Sequence, residues 1–181
     1  MSRLPAIDRE ALAPADQAIW DRVRLGRSPE MRGPYSVLMH VPELADRVNA
    51  MQAYFSGTAA LPDEDRELVI LAAVREIGAQ YAWARHEARA HQLKVSDAVI
   101  DALRARGGLE LLSPRQRILV EVVRGLVRDH EVPADLYARA VAELGTQQMV
   151  EAVTLTGLYG MIGLVIKAFD VPPAPDDPPT F

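Results

Sequence analysis

The strongest constraint on this chain is helical period sustained almost from end to end and cut into segments by proline and glycine. Apolar residues return every three or four positions, and no stretch alternates with the period of two that marks a half-buried strand. Asn-Gly and Asp-Gly hairpin turns are missing too. Pro14 and Asp16 begin a segment with Ile19, Trp20 and Val23 on one face, ending near Gly26. A loop through Ser28-Pro29 and Gly33-Pro34 leads to a short apolar turn of Tyr35, Val37, Leu38 and Met39. Pro42 opens a helix that carries Leu44, Val48, Met51 and Phe55 to Gly57. Leu61-Pro62-Asp63-Glu64-Asp65 opens the next, since the first turn tolerates proline and the helix dipole favours acids there. That helix runs through Leu68, Leu71, Ala72 and Ile77 to a break near Gly78. Helices are predicted over 80–92 and from the N-cap Ser96 to Gly107-Gly108. Ser113-Pro114 opens one through Ile118, Val122 and Leu126, Pro133 opens another, and Thr146 caps a last long one reaching Phe169. The expectation is an all-α fold.

The length of 181 residues suits one domain or two small repeats sharing a core. A repeat is visible at an offset of 51 residues, where Leu61, Arg66, Leu68, Val69, Leu93 and Val99 align with Leu112, Arg117, Leu119, Val120, Leu144 and Val150. The copies differ where Glu67 faces Ile118 and His86 faces Tyr137. One half would then hold a polar site while the other completes the core. The chain divides into a helical lead-in over 1–57, a helical core over 58–170 and a proline-rich arm over 171–181. Proline density keeps that arm extended, either free or lying on a neighbouring subunit.

Charge and composition exclude several classes of function. A net charge of −5 argues against the clustered positive charge that a nucleic-acid partner requires. Zero cysteines exclude disulfides, thiolate metal sites and thiol catalysis. The amino terminus meets Pro5 and Asp8 before any apolar run forms, unlike a signal peptide. The uncharged stretch from Ala152 to Ile166 would span about 22 Å as a helix, short of the roughly 30 Å of a bilayer core. A buried helix, no membrane partner and a cytoplasmic location are expected.

The segment from Arg66 to Glu87 is the richest in chemistry. If the helices on either side of Gly78 fold back antiparallel, Glu67 lies about 16 Å up one arm and His86 about 12 Å up the other. The two can then meet, directly or through water, as a proton-transfer pair. Spacing alone leaves open a buried ion pair, or a histidine on a solvated charged face. His86-Glu87-Ala88-Arg89-Ala90-His91 imitates the zinc motif H-E-x-x-H, but its second histidine comes one residue late and points about 140° away. No metal site is expected. Gly157, Gly160 and Gly163 lack the strand and lysine of a phosphate loop and suit close helix packing, within the chain or between subunits. No serine sits in a nucleophile-elbow pattern.

The segment from Leu61 to Ser96 resembles the carboxymuconolactone decarboxylase family, which includes the alkylhydroperoxidase D-like proteins. Those members show a glutamate, eleven residues, then Cys-x-x-Cys-x-x-x-His. On this chain the glutamate is Glu67, the histidine is His86, and Ala79 and Ala82 occupy the two cysteine positions. Tyr81-x-Trp83 is similar to the Tyr-Glu-Trp of cysteine-free members, with Ala82 replacing the glutamate. The phrase from Gly33-Pro34-Tyr35 to His40-Val41-Pro42-Glu43-Leu44 is similar to the family's lead-in.

The resemblance implies an alkylhydroperoxidase D-like helical domain built from two related repeats and assembled as a trimer or hexamer. It implies a pocket at the Glu/His hairpin, with Glu67 and His86 as the catalytic pair. On that reading Tyr81 and Trp83 line the substrate pocket, unless they are plain core aromatics, and His40, in a loop close to Pro42, is a further pocket candidate. The peroxidase branch needs a dithiol that Ala79 and Ala82 do not supply. The decarboxylase branch needs no cofactor, although its members carry more polar and basic residues near the histidine. A cofactor-independent lyase or isomerase acting on a small organic acid or lactone is therefore expected. The alternative is a non-catalytic oligomeric binding or scaffold protein that lost the redox cysteines. The two diverge on one observation: a solvent-reachable pocket around Glu67 and His86 favours the enzyme, and a packed dry cluster the scaffold.

Overall fold

A computed structural model describes residues 2–25, 31–173, 177 and 181. Among them are eight α-helices and no strand. They are α1 (Pro14–Arg24), α2 (Pro34–Leu38), α3 (Pro42–Gly57), α4 (Asp63–Ile77), α5 (Gln80–Gln92), α6 (Asp97–Arg104), α7 (Pro114–Arg124) and α8 (Ala134–Ala168). Proline occupies the first helical position of α1, α2, α3 and α7, where no intrahelical N–H is needed. Ser113 closes a full capping box with Gln116. Ser96 holds the N-cap position of α6 by backbone geometry, without a capping bond from its hydroxyl. One π-helical turn over Gly125–Asp129 extends α7 beyond Arg124. The expected end of α1 at Gly26 and the Ser28-Pro29 loop lie outside the described residues.

The centre of the molecule is α4, which packs against α5, α7 and α8. It is buried without interruption from Asp65 to Val74, so no solvent face remains. Its charged residues there are matched: Asp65 accepts from Arg115 Nε at 2.7 Å, and Arg66 Nη1 donates to Asp63 at 2.8 Å. At the far end Arg106 donates to the carbonyls of Arg75 and Glu76, 2.9 Å each, closing orphan acceptors of the last turn. Gly78 then takes the left-handed conformation, φ 78°, and reverses the chain into α5.

The 51-residue offset survives in the architecture. Asp63 starts α4 and Pro114 starts α7, those two helices pack on each other, and each leads into the next helix of its half. Helix α8 holds both predicted segments, divided at Gly145 (φ 75°, ψ 163°). It is long and apolar enough to cross a membrane, yet it packs in the core against α4 and α7. Gly163 brings α8 onto the α4–α5 turn, where a Cβ would lie 3.0 Å from Ile77 Cγ2 and 3.5 Å from Ala79 Cβ. Its close packing is therefore internal.

The arm departs from both states expected of it. Val171 is buried, Asp177 lies 3.8 Å from Arg85, and Phe181 stacks edge-on against Trp83 with Arg75 over its ring at 4.0 Å. An aromatic and a cation–π contact hold these residues on the chain's own α4–α5 hairpin. Residues 174–176 and 178–180 lie outside the described set.

Candidate functional site

The α4–α5 hairpin brings Glu67 and His86 together. His86 Nδ1–H donates to Glu67 Oε2 at 2.6 Å, since a carboxylate oxygen can only accept. The Glu67 side chain is 4% exposed and that of His86 19%, so the carboxylate is sealed and the imidazole keeps an outlet. The edge of Tyr159, from α8, packs on the imidazole with ring centroids 4.8 Å apart. Carboxylate on one side and aromatic ring on another fix the imidazole plane. With Nδ1–H engaged, Nε2 is left to exchange a proton.

The pair opens onto a cleft of about 930 Å³. Its lining repeats the helical period on several elements. Arg66, Glu67 and Ile70 come from one face of α4, His86 and Arg89 from α5, and Leu155, Leu158 and Tyr159 from α8. Across from them stand Asn49, Gln52, Ala53, Phe55 and Ser56 of α3, with Arg22 and Leu25 at the end of α1. The floor is apolar and the walls carry amides, guanidinium groups and carboxylates. Arg22 and Asp46 form a bidentate pair at 2.9 and 2.8 Å, which raises the guanidinium pKa and lowers that of the carboxyl. Arg89 Nε lies 3.8 Å from Glu67 Oε1.

Three residues expected at the pocket lie elsewhere. Trp83 is fully buried, its Nε1–H donates to Glu87 at 2.7 Å, and its ring meets Phe181, so it is a core aromatic. Two residues before it on α5, Tyr81 turns to the loop ahead of α2, where a Cβ on Gly33 would overlap its ring. His40 is exposed, with Nε2–H donating to the Pro5 carbonyl at 3.3 Å. Trp83 lies three positions before His86 yet its indole is packed in the core, while Tyr81 and His40 are taken up by contacts with Gly33 and Pro5 from distant parts of the chain. His91 sits 3.2 Å from Asp97, apart from His86. Ala79 and Ala82 are both buried.

Sequence reasoning did not single out Arg66, Arg89, Phe55, Tyr159 or the α3 amides. Arg89 carried a local signal, being three positions after His86 and so on its face of α5, whereas Arg66, next to Glu67, lies about 100° round α4 and carried none. The α1, α3 and α8 residues carried none, because only tertiary packing brings those helices to the hairpin.

The buried carboxylate of α8 also carried no local signal in the sequence. Glu151 of α8 accepts from Leu61 N at 2.7 Å, Ala60 N at 3.0 Å, Tyr54 Oη at 2.8 Å and Gln147 Nε2 at 3.3 Å. It pins the α3–α4 connection just before the helix that bears Glu67.

No family model matches the chain, and no curated protein matches it. Solved structures do. The alkylhydroperoxidase AhpD core of an uncharacterized peroxidase-related protein from Ralstonia eutropha JMP134 superposes with a TM-score of 0.78 at 19% identity, over 97% of this chain and 93% of that one. An uncharacterized peroxidase-related protein from Silicibacter sp. TM1040 gives 0.75 at 19% identity over the same shares. A protein of unknown function from Agrobacterium tumefaciens gives 0.71 at 16% identity, over 79% of this chain and 99% of that one. The fold is AhpD-like and all-helical, in a chain without cysteine.

Proposed function

We propose that this cysteine-free AhpD-like fold is a cofactor-independent lyase or isomerase of the carboxymuconolactone decarboxylase-like type, acting on a small organic acid or lactone. The observation that carries the reading is the 2.6 Å Glu67–His86 contact set in the wall of a large open cleft. A packed, dry cluster would have favoured the scaffold alternative. In the lyase form the substrate's bond to its carboxylate breaks and CO₂ leaves. The electron pair passes into the adjacent unsaturated system, and His86 Nε2–H supplies the proton that ends on carbon. The imidazole regains its proton from water. In the isomerase form Nε2 takes a proton from one carbon and returns it to another. Either way Glu67 holds the ring by Nδ1–H and offsets the charge of the imidazolium.

We place the protein in the cytoplasm as a homo-oligomer, trimer or hexamer, without nucleic-acid or membrane partners. The negative net charge and an apolar outer face on α8, with Val150 58% and Leu164 64% exposed, support that reading.

The test begins with a thermal-shift screen of small organic acids and lactones, followed by turnover of the hits in D₂O. Wild-type protein is expected to place solvent deuterium on the product carbon. His86→Ala should lower the rate by about 10²–10⁴-fold while still folding. Glu67→Gln should lower it as well, since an amide leaves the imidazolium unbalanced. Unchanged rates in folded variants would remove both residues from the mechanism. Thiol-dependent hydroperoxide turnover should be undetectable, because Ala79 and Ala82 offer no nucleophile.

A further inference from the structure

The cleft holds a guanidinium that the proton-transfer chemistry leaves unused. The Arg66 side chain is only 8% exposed, yet it lines the cleft one residue from Glu67. Its Nη1 donates to Asp63 at 2.8 Å, and among the described residues its Nε and Nη2 have no hydrogen-bond acceptor. Neither of these donors is sealed from solvent, so both are available at the cleft wall to meet an anion. Arg89 stands beside it, half exposed, 3.8 Å from Glu67 and 4.0 Å from Asp63, and among the described residues its side chain makes no hydrogen bond. The third arginine of the lining, Arg22, is already occupied by Asp46.

We propose that Arg66 anchors a carboxylate in this cleft, with Arg89 closing over it, so that the ligand is a carboxylic acid with an apolar body and not a neutral lactone. The inference rests on the Glu67–His86 reading and names the substrate class of that site. Adjacent residues on α4 diverge by about 100° with a rise of about 1.5 Å, so Arg66 and Glu67 address neighbouring parts of one cavity. A carboxylate held on the planar Arg66 fork leaves the rest of a small molecule over Ile70, Phe55 and Leu155, and within the cleft that His86 lines. Glu67 and Asp63 would repel a second carboxylate nearby, so the site suits a ligand with one.

The test compares cyclohexanecarboxylate with its neutral isostere cyclohexanecarboxamide by calorimetry. Wild-type protein is expected to prefer the carboxylate by about tenfold or more, the scale of a lost charge-assisted hydrogen bond. Arg66→Gln should bring that ratio to about one while leaving carboxamide binding within about twofold. Arg66→Lys, which keeps a charge beside Asp63, should fold and show an intermediate ratio, because it loses the fork. A wild-type ratio near one, no measurable carboxylate binding, or a ratio unchanged in either folded variant would overturn the anchor. His86→Ala separates the two proposals. The anchor predicts that this variant keeps the binding ratio. Turnover that also survived would sink the proton-transfer reading alone, and a lost ratio at Arg66 with His86-dependent turnover would sink the anchor alone.

Discussion

At Glu151 a single side chain holds a connection in place. Burial raises the pKa of its carboxyl, while the Ala60 and Leu61 N–H groups, the Tyr54 hydroxyl and the Gln147 amide lower it. The balance holds it below its ordinary 4.5. Because the folded value is the lower one, the carboxylate stabilises the fold fully above about pH 4.5, and that stability is lost as pH falls through the folded value. Glu151→Gln turns an amide N–H₂ toward groups that donate, and should cost about 1–3 kcal/mol at pH 7 by urea unfolding. The variant should also lose part of the wild-type pH dependence in mild acid. Equal urea midpoints at pH 7 would deny Glu151 its pinning role. Glu67 and His86 were legible as a pair because one hairpin carries both. Glu151 was not, since apart from Gln147 its partners lie ninety or more residues away in sequence.

Among the elements, the α4–α5 hairpin decides whether the site exists. Gly78 carries its reversal at φ 78° with open space around it, so an added methyl meets backbone strain and no clash. Gly78→Ala should therefore lower stability by about 1–2 kcal/mol, seen as a lower Tm, and leave the core packing intact. Gly163→Val works by a different route, pressing new carbon against Ile77 and Ala79 where α8 crosses the turn. A cost of about 1–3 kcal/mol is expected, with a change in the environment of Tyr159 that near-ultraviolet circular dichroism can report. A variant with wild-type melting and an unchanged spectrum would show that α8 does not need this close approach. Helix boundaries were written locally in proline, glycine and caps, which is why α3 and α5 match their predicted ranges residue for residue. The face a residue presents was harder to read, and Tyr81 and Trp83 illustrate it: both sit on α5 near His86, and neither lines the cleft.

For the molecule as a whole, the cleft is the gap that remains when α1 and α3 lie across the α4–α5–α8 core. Leu155 belongs to both core and cleft, being fully buried and part of the lining. Leu155→Ala should cost about 2–5 kcal/mol and loosen the cleft floor, so cyclohexanecarboxylate affinity falls with stability. Leu119→Ala, equally buried on α7 and absent from the lining, should cost as much while leaving affinity unchanged. Sedimentation should find three or six copies of the 19.9 kDa chain, and a monomer at all concentrations would refute the proposed assembly. The sequence by itself determined the all-α class, most helix limits and the lack of thiol chemistry, and it put Glu67 and His86 within reach of each other if the hairpin closes. Each of these follows from local period, turn residues, composition or the geometry of one hairpin. Only the tertiary structure decided what surrounds that pair: Tyr159 against the imidazole, the α3 amides opposite, Arg66 turned into the cleft and Trp83 turned away. Those placements depend on how helices distant in sequence share one core. No local pattern of residues encodes them, because burial is settled by all the packed faces at once.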